Sequence, residues 1–342
     1  MAEKKTARPL KDGEWFFGLS GRATFLISLV FVLVFCFLDQ VIPGKSLIIP
    51  NFVKYIAVVC LIYAIASMGI NFYSGYLGET SLGHAAFYGV GAYMTGYLTT
   101  AMGVNFWLTI PIGMAGAALA AVPMALAGRR VKGSFMTVIT YAFCEIIRYV
   151  VINTDELGGS AGIPGIKAPE IFGVRITKLP FLPSNKDGYI LILYVIVVFV
   201  AHFTWKFVHS REGYAVSAIR EDAIAAEAMG IDVRSYRLKY IIVSAVICSL
   251  AGSFYAAFAN LVDPNLLSAT LSINIFTMLV IGGRRSIKGA ILGGFIVVIL
   301  PELLRGVQGL IGLSFDPWYI LYGLMLIAIM RFRPEGLLGV RE

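Results

Sequence analysis

The sequence predicts an all-α polytopic membrane protein with about ten transmembrane helices and both termini in the cytoplasm. The first reason is composition: the 342-residue chain is 58% hydrophobic and only 14% charged, whereas a soluble domain carries about 25% charged residues. The second reason is length, because the apolar residues fall into runs that approach the roughly 20 residues needed to span a bilayer. The third reason is the distribution of basic residues, which alternates from one connection to the next.

Each predicted span is an apolar run bounded by polar residues, glycine or proline. An α-helix rises about 1.5 Å per residue, so such a run crosses a hydrocarbon core of about 30 Å. The third and eighth runs are glycine-rich or short. The ten predicted spans are 23–41, 52–74, 82–100, 106–127, 134–152, 189–208, 239–259, 269–283, 288–304 and 317–331.

The basic residues predict the orientation of these spans. Twenty lysines and arginines lie on the side of the N-terminus, seven lie on the opposite side, and Arg148 falls within a span. Because cytoplasmic loops are enriched in basic residues, the side with twenty is predicted to be cytoplasmic. The organisation that follows is a cytoplasmic N-terminal segment (1–22), a transmembrane domain (23–331) with an external loop (153–188) and a cytoplasmic loop (209–238), and a cytoplasmic tail (332–342).

Several function classes do not fit the sequence. The net charge of +8 is explained by the cytoplasmic loops, so the lipid bilayer, and not nucleic acid, is the expected partner. The chain contains no H-E-x-x-H, G-x-S-x-G or C-x-x-C motif, which are the patterns of common hydrolytic, metal and redox sites. "PGKS" at 43–46 resembles the end of a P-loop, but Asp39 replaces the first glycine. We therefore expect no catalytic residue, no metal and no cofactor in this chain.

One polar stretch interrupts the apolar runs, "GYLGETSLGHAAFYGVGAY" at 75–93. We predict a cytoplasmic turn at 75–79, followed by a helix that Thr80 or Ser81 caps, since hydroxyl side chains accept hydrogen bonds from the first free N–H groups. His84 would begin the third span. It is interpreted as a packing hydrogen bonder, and a role with Ser81 at the inner gate is kept as the alternative.

Small residues recur in this stretch and in the ninth span. Helices in lipid associate through close van der Waals contact, which small residues permit. The glycines predicted to serve helix packing are Gly83, Gly89, Gly91, Gly96, Gly289 and Gly293.

Charged residues within spans are the remaining candidates for a solute pathway. Glu145 and Arg148 lie three residues apart in the fifth span, so they share a helix face and can neutralise each other. Charges inside the membrane indicate function by default, and a zwitterionic solute needs partners for both of its charges. A self-satisfied pair that orients the helix is the favoured interpretation, and a pathway pair is the alternative.

The cytoplasmic loop 209–238 is the most charged part of the chain. Residues 212–229 are rich in helix formers, and Gly230 suits the left-handed position that ends a helix. Small residues on this helix favour docking into a groove on a partner protein. A helix lying on the lipid headgroups is the alternative, but Glu221, Asp222 and Glu227 would repel anionic lipid.

Four motifs in order resemble one family. "AIREDAIAAEAMGIDVRSYRLK" (218–239), together with "GYLGETSLGHAAFYGVGAY", "LPELLR" (300–305) and "RPEGLLG" (333–339), is similar to permease subunits of ABC importers for branched-chain amino acids, of the LivM type. The resemblance covers about residues 50–340. It implies a bacterial inner-membrane subunit that pairs with a second permease, two ATPase subunits that bind ATP and Mg²⁺, and a periplasmic binding protein.

The resemblance also implies which loop residues contact the ATPase. The wider ABC-importer pattern has Glu-Ala-Ala and a glycine after three further residues. Here Ile224 replaces the glutamate, while the remaining positions are kept. The contacts carried over are Ala225, Ala226 and Gly230, followed by Arg220 and Glu227.

The expected function is therefore ATP-driven, binding-protein-dependent import of branched-chain amino acids by alternating access, with this chain as a non-enzymatic transport subunit. A urea or short-amide permease of the same family is the alternative on substrate. An ion-coupled secondary transporter is the alternative from another class, and it would need unpaired acidic residues in the membrane.

Overall fold

The structure is a computed structural model that describes residues 14–16, 19–20, 51–128, 134–171, 174–176, 186–311, 323–324, 327, 331–333 and 335–339. These residues form a helical bundle with a few very short strands. The helices are α1 (Asn51–Ile70), α2 (His84–Thr100), α3 (Phe106–Gly128), α4 (Ser134–Ile152), α5 (Asp187–Val208), α6 (Arg211–Glu221), α7 (Ala223–Ala228), α8 (Val233–Ala259), α9 (Ala269–Gly282) and α10 (Ile287–Ile311).

Irregular segments and strand pairs complete the described structure. Helix α1 continues into a π-helical turn at Asn71–Tyr76. Short 3-10 turns cover Asp155–Leu157 and Pro264–Leu267. The antiparallel strand pairs are β1 (Glu14–Phe16) with β2 (Leu19–Ser20), β3 (Ile163–Pro164) with β6 (Leu261–Val262), and β4 (Glu170–Ile171) with β5 (Val174–Arg175).

The predicted spans that fall within the described residues coincide with helices. Six helices there are long and apolar enough to cross a membrane: 51–76, 106–127, 135–152, 187–208, 233–259 and 287–305. Two predicted spans are shorter as helices, since α2 has 17 residues and α9 has 14. The first predicted span, 23–41, lies outside the described residues, as does most of the tenth, 317–331. The structure thus describes a multi-pass membrane protein.

Helices α2 and α8 form the centre of the bundle, and their backbones touch. A Cβ atom on Gly91 of α2 would meet the carbonyl oxygen of Ser249 in α8, and a Cβ on Gly252 of α8 would meet the carbonyl oxygen of Tyr88. The Ser253 hydroxyl also donates to the Gly91 carbonyl at 3.2 Å. Because the two helices interlock through glycine, most of α2 is buried.

One end of the bundle, called here the basic end, gathers the turns 77–83, 209–232 and 283–286. Glu79 of the first turn pairs with Arg237 at the start of α8, at 2.6 Å. The Asn71 amide donates to the Ser286 carbonyl at 3.2 Å and accepts from the backbone N–H of Arg285 at 3.1 Å. These contacts place three turns predicted for the same membrane side next to one another.

The C-terminal segment 336–339 also lies at the basic end. The backbone N–H groups of Leu337 and Leu338 donate to the carbonyls of Ile281 and Gly282, each at 2.9 Å. The prediction treated residues 332–342 as a plain tail. The structure instead pairs part of that tail with the last residues of α9. The tail thereby supplies donors to carbonyl groups that the helix end leaves open.

The opposite end of the bundle is joined by a buried ion pair and by backbone pairing. The Lys54 ammonium at the start of α1 lies 2.9 Å from the Asp187 carboxylate at the start of α5, and both side chains are 0% exposed. Strand β3 of the long loop pairs with β6 after α8. The Trp107 indole N–H donates to the Glu170 carbonyl at 2.8 Å. The loop predicted at 153–188 is therefore attached to the bundle through its described residues.

Candidate functional site

The coupling loop, defined as residues 209–232, consists of two short helices with separate caps. The predicted single helix over 212–229 is wrong, because Asp222 has an extended backbone (φ −151°, ψ 106°) that separates α6 from α7. Its carboxylate accepts from the N–H groups of Ile224 and Ala225 at 2.8 and 3.1 Å. Aspartate favours this capping position over a helix interior, which explains the break.

The end of α7 has the form of a Schellman motif around Gly230. The N–H of Ile231 donates to the Ala226 carbonyl at 3.1 Å, and the N–H of Gly230 donates to the Glu227 carbonyl at 3.0 Å. Gly230 has φ +86°, and a Cβ there would meet no atom of the described residues within 4 Å. Glycine is required by backbone conformation at this position, and not by space.

A second cap attaches the coupling loop to α8. The Asp232 carboxylate accepts from the backbone N–H groups of Arg234 and Ser235, at 3.1 and 3.2 Å, and from the Ser235 hydroxyl at 2.6 Å. The bonds from Ser235, with its hydroxyl first, lower the pKa of the Asp232 carboxyl. The loop thus enters the long central helix through a fixed turn.

The exposed tip of the coupling loop is apolar. Ile224 is 73% exposed and Met229 is 84% exposed, while Ala225 and Glu227 are also exposed. Large apolar side chains at such exposure indicate an interaction surface when they occur together.

Two residues predicted to contact a partner lie elsewhere. Ala226 is 3% exposed and packs into the protein, so it does not share the outward face of Ala225. Arg220 turns toward the 77–80 turn, where a Cβ on Gly78 would lie 2.9 Å from the Arg220 Cγ atom. The break at Asp222 sets the direction of α7, in which Ala226 lies on the buried side.

A polar link connects the loop to the start of α2. Glu79 accepts a hydrogen bond from the Tyr73 hydroxyl at 2.5 Å with one oxygen and binds Arg237 with the other. The sequence predicted only a turn at 75–79 and no partner for Glu79. The link passes from the first turn of α8, directly after the coupling loop, to the turn that precedes His84.

His84 is fully buried, and both ring nitrogens are hydrogen-bonded. Its Nε2 lies 2.7 Å from the Ser244 hydroxyl and its Nδ1 lies 2.9 Å from the Ser81 hydroxyl. Ser244 donates to the Gly69 carbonyl at 2.6 Å, so it accepts from Nε2–H. With the proton on Nε2, Nδ1 of the neutral ring is an acceptor, so the Ser81 hydroxyl donates to it; the Ser81 oxygen also accepts from the N–H of Gly83 at 3.3 Å. One neutral tautomer satisfies the whole chain of bonds.

The predicted cap of the third span is wrong in detail. Gly83, and not Thr80 or Ser81, is the N-cap residue of α2, and it makes no side-chain cap. Ser81 is 0% exposed because its hydroxyl binds His84. The Ser81 hydroxyl bonds to the imidazole of His84, three residues later, and therefore does not cap α2.

Glu145 and Arg148 form the ion pair that their spacing predicts. Arg148 Nη1 lies 3.2 Å from Glu145 Oε2, and the two side chains are 29% and 21% exposed. The other Glu145 oxygen accepts from the N–H of Ala269 at 3.4 Å. Among the four residues predicted for a pathway or gate, this pair is the more accessible one, and Ser81 and His84 are buried.

Of the predicted packing glycines, some approach the backbone of another helix and others approach side chains of connecting segments. Three of the first kind are Gly83, Gly289 and Gly293. A Cβ on Gly83 would meet the Thr140 carbonyl of α4, and a Cβ on Gly293 would meet the Met278 carbonyl of α9. A Cβ on Gly289 would lie 2.6 Å from the Gly282 carbonyl.

Gly89 and Gly96 differ from the prediction. A Cβ on Gly89 would meet the Leu267 side chain in the 3-10 turn, and one on Gly96 would lie 3.1 Å from Ile166 in the long loop. These two contact connecting segments instead of helices, because those segments fold back over α2.

Sequence reasoning missed three features of this region. They are the apolar tip, the Glu79–Arg237 link and the buried Lys54–Asp187 pair. Only the tip had a local signal, since Ile224 and Met229 are large apolar residues within a highly charged loop. The two ion pairs join residues more than 130 positions apart, and no single-sequence pattern predicts them.

The geometry defines a class of protein. Within the part of the chain that the structure describes, no three His, Cys, Asp or Glu side chains group closely enough to hold a metal ion. What the described residues do contain is several membrane-spanning helices and a capped loop with an apolar tip at their basic end. These are the features of a transport subunit that works with partner proteins.

The comparisons identify its family. Residues 52–330 match the family described as branched-chain amino acid transport system / permease component, and the chain belongs to that family. It is a permease subunit of an ABC importer.

Individual relatives agree with this family. The high-affinity branched-chain amino acid transport system permease protein LivM of Escherichia coli (strain K12) is 29% identical over 301 residues, which cover 83% of this chain and 69% of that protein. A probable LivM permease of Methanocaldococcus jannaschii is 24% identical, with coverage of 81% and 90%. A solved inward-facing ABC transporter of the metal-chelate type shares 14% identity, covers 90% of this chain and 97% of its own, and has a TM-score of 0.40, which is too low to assign the fold.

Proposed function

We propose that the chain carries branched-chain amino acids, or closely related amphipathic solutes, inward across the bacterial inner membrane. It would supply half of the pathway and pair with a second permease, two ATPase subunits and a periplasmic binding protein. The names of its relatives support the cargo, because they describe branched-chain amino acid transport. ATP and Mg²⁺ would bind to the ATPase subunits, and this chain would perform no chemistry.

The observation that carries the proposal is the coupling loop with its exposed apolar tip. Ile224 and Met229 project from a helix that is capped at both ends. A rigid, capped element loses little conformational entropy on docking. Apolar anchors surrounded by polar residues are the usual centre of a protein interface.

Motion of an ATPase would reach the membrane through two connections. The first is the chain itself, because α8 directly follows the loop. Asp232 at the end of the loop caps the first turn of α8. The second is the Glu79–Arg237 pair, which joins α8 to the turn before α2. Movement of the tip would therefore displace α8 and the start of α2 together, as alternating access requires.

Pathway roles are assigned by accessibility. For Glu145 and Arg148 we adopt the alternative interpretation, a pathway pair, since both side chains are partly exposed on α4. Ser81 and His84 are assigned to packing, because their polar atoms are bonded within the protein and both side chains are buried.

The full topology is ten spans with both termini in the cytoplasm. Support comes from the excess of basic residues on one side. Further support comes from the basic end, where the coupling loop, two helix turns and residues 336–339 lie together.

The experiment uses two glycines with the same backbone geometry. Gly230 and Gly103 both have positive φ, +86° and +65°, and within the described parts of the chain a Cβ at either position would meet no atom within 4 Å. Gly103 lies in the turn after α2, at the opposite end of the bundle. Gly230→Val and Gly103→Val therefore impose similar local strain at opposite ends.

Uptake of labelled leucine and recovery of the ATPase with the tagged permease are then measured for both variants. The proposal expects Gly230→Val to lose uptake and ATPase recovery, and Gly103→Val to retain both. Normal uptake and ATPase recovery in Gly230→Val would refute the docking assignment.

A further inference from the structure

One side of α5, called here the α5 face, changes from apolar to basic near the end of the helix. Val195, Phe199 and Phe203 follow one another at intervals of four residues and are 58%, 67% and 39% exposed. Lys206 and His209 continue at intervals of three residues and are also exposed. Residues three and four apart lie on the same side of a helix, so these five side chains form one continuous stripe.

The apolar part of the α5 face has the length of one lipid leaflet. Helix α5 is long and apolar enough to cross a membrane. Eleven steps along the chain separate Val195 from Lys206, and they rise about 16 Å at about 1.5 Å per residue. Half of a hydrocarbon core of about 30 Å is about 15 Å. The stripe therefore has room for one acyl chain below a charged end at the depth of the headgroups.

Aromatic side chains mark the same depth. Trp205 is half-buried in the last turn of α5, and the rings of Trp205 and His209 lie 4.9 Å apart. The Trp205 carbonyl accepts a hydrogen bond from His209 Nδ1–H at 2.8 Å. Tyr214, in the first turn of α6, is 69% exposed. Tryptophan and tyrosine are enriched where the hydrocarbon core meets the headgroups, which agrees with the position of the basic residues.

The start of α6 adds a second cation to the end of the α5 face. Arg211 directly follows Ser210, the N-cap residue of α6, and is exposed. Its neighbour Glu212 binds Lys239 of α8 at 2.9 Å, so that carboxylate is engaged with another cation. Lys206 and Arg211 thus lie on the two sides of the short turn that joins α5 to α6.

The acidic residues of the coupling loop are too distant to cancel this charge. Glu221 and Asp222 lie at the other end of α6, and ten steps of helix place Glu221 about 15 Å from Arg211. Exposed charges are largely screened beyond about 8 Å at physiological ionic strength. The loop therefore begins with basic residues at the end of a membrane helix and becomes acidic toward its tip.

We propose that the α5 face and the start of α6 form a binding site for an anionic phospholipid. Its acyl chain packs along the apolar part of the face. Its phosphate accepts charge-assisted hydrogen bonds from Lys206 and Arg211. A headgroup with a net negative charge is favoured over a zwitterionic one, because both side chains of the protein that contact it are cations.

The position of the site gives the bound lipid a consequence for the coupling loop. Arg211 is the first residue of α6, whereas the tip with Ile224 and Met229 belongs to the α7 end of the loop. The lipid holds the first helix of the loop at the membrane and leaves the tip accessible to the ATPase proposed above. The site itself needs only that α5 spans the membrane, so it stands independently of the proposed cargo and of the docking assignment.

Lipid binding to the purified full chain in neutral detergent is measured by native mass spectrometry. Phosphatidylglycerol is titrated, and phosphatidylcholine is the reference without net charge. The variants are Lys206→Gln and Arg211→Gln, and Arg211→Lys keeps the charge. The matched control is Arg234→Gln, which removes an exposed arginine from the first turn of α8, outside the α5 face. The Tm without added lipid and the recovery of the ATPase with the tagged permease are measured for each variant.

The wild-type chain and Arg234→Gln are expected to bind phosphatidylglycerol more tightly than phosphatidylcholine. Lys206→Gln and Arg211→Gln should each weaken phosphatidylglycerol binding about fivefold, the factor for one lysine or arginine near a membrane surface. Arg211→Lys should keep the binding, and phosphatidylcholine binding should not change. The Tm without lipid should match the wild type, since both residues are exposed; if one variant fails to fold, the other decides the test.

Three results would overturn the proposal. The first is phosphatidylglycerol binding no tighter than phosphatidylcholine binding, and the second is an equal loss in Arg234→Gln. The third is wild-type phosphatidylglycerol binding in Lys206→Gln and Arg211→Gln. A loss of ATPase recovery together with that third result would assign the surface to a protein partner instead of a lipid.

Discussion

Two regions of the molecule differ in which residues form their contacts: the interior around α2, and the coupling loop. In the interior, backbones touch through Gly91 and Gly252, and His84 is bonded on both sides. In the loop, two short helices are held by their caps, and the largest side chains at the tip face outward. In the interior the small residues themselves form the contacts, whereas at the tip of the loop the exposed side chains of Ile224 and Met229 are large and apolar.

The contrast shows that small residues have different structural roles in membrane helices and in a loop outside them. Inside the membrane they replace the hydrophobic effect as the means of packing helices. In the coupling loop, Gly230 ends a helix, and the exposed surface of the tip comes from large neighbours. Changes in the interior should therefore reduce stability, and changes at the tip should reduce partner binding alone.

The largest expected effect is on the buried ion pair. Lys54→Met should destabilise the chain by about 3–5 kcal/mol, because the Asp187 carboxylate would stay buried without the ammonium. The double variant Lys54→Met/Asp187→Leu should recover much of this loss. The free energy of unfolding in mixed micelles is the measurement.

The Lys239–Glu212 pair of the loop region is the matched control. Its N–O distance is also 2.9 Å, but its side chains are 54% and 37% exposed. Lys239→Met should cost less than about 1 kcal/mol, since exposed ion pairs contribute little. Equal losses in Lys54→Met and Lys239→Met would contradict the contrast between buried contacts of the bundle and exposed contacts of the loop region.

The next effect concerns the contact of α2 with α8. Gly91→Ala should destabilise the chain by about 1–3 kcal/mol, because the new Cβ would overlap a backbone carbonyl that cannot move alone. In Gly113→Ala the new Cβ would lie 3.4 Å from the Ser253 hydroxyl, an ordinary contact. That control should be neutral or gain up to about 1 kcal/mol from helix propensity. Thermal unfolding of both variants measures the difference, and a stable Gly91→Ala would show that the helices can separate.

A smaller effect is expected at the histidine network. Ser244→Ala removes the acceptor of His84 Nε2–H and should cost about 1–3 kcal/mol, the range for an unsatisfied buried donor. Uptake per folded molecule should remain, since the assigned role is packing. Thr204→Val is the control, because that buried hydroxyl bonds only within its own helix, to the Val200 carbonyl. A loss of uptake in Ser244→Ala without a loss of stability would return His84 to a gate role.

The sequence predicted the features that depend on local patterns. Apolar runs predicted the helices of the described residues. The helix end at Gly230 follows from the left-handed backbone that glycine allows, and the Glu145–Arg148 pair follows from spacing along one helix. The break at Asp222 was also local but was overlooked, because helix formers on both sides concealed a capping residue. Because of the break, Ala226 lies on the buried side of α7 and not on the exposed side with Ala225.

The remaining features depend on contacts between distant segments. The burial of Ser81 results from its bond to His84, which is fixed in turn by Ser244 in another helix. Gly96 contacts a loop residue because the long loop folds over α2. The Glu79–Arg237 pair needs the coupling loop to return to the start of α8. Such arrangements follow from tertiary packing and leave no period or motif in the sequence.

The central claim is that the tip of the coupling loop binds the ATPase without contributing to the fold. Met229 is 84% exposed at that tip, and Met102 is 61% exposed at the opposite end of the bundle. The same substitution, methionine to aspartate, places a charge at each exposed position. The measurement is the amount of ATPase subunit recovered with the tagged permease, together with the Tm of each variant.

The account predicts that Met229→Asp keeps the wild-type Tm but recovers about tenfold less ATPase, as expected when a central apolar anchor is lost. Met102→Asp should match the wild type in both readouts. Normal ATPase recovery with Met229→Asp, or an equal loss with Met102→Asp, would contradict the claim.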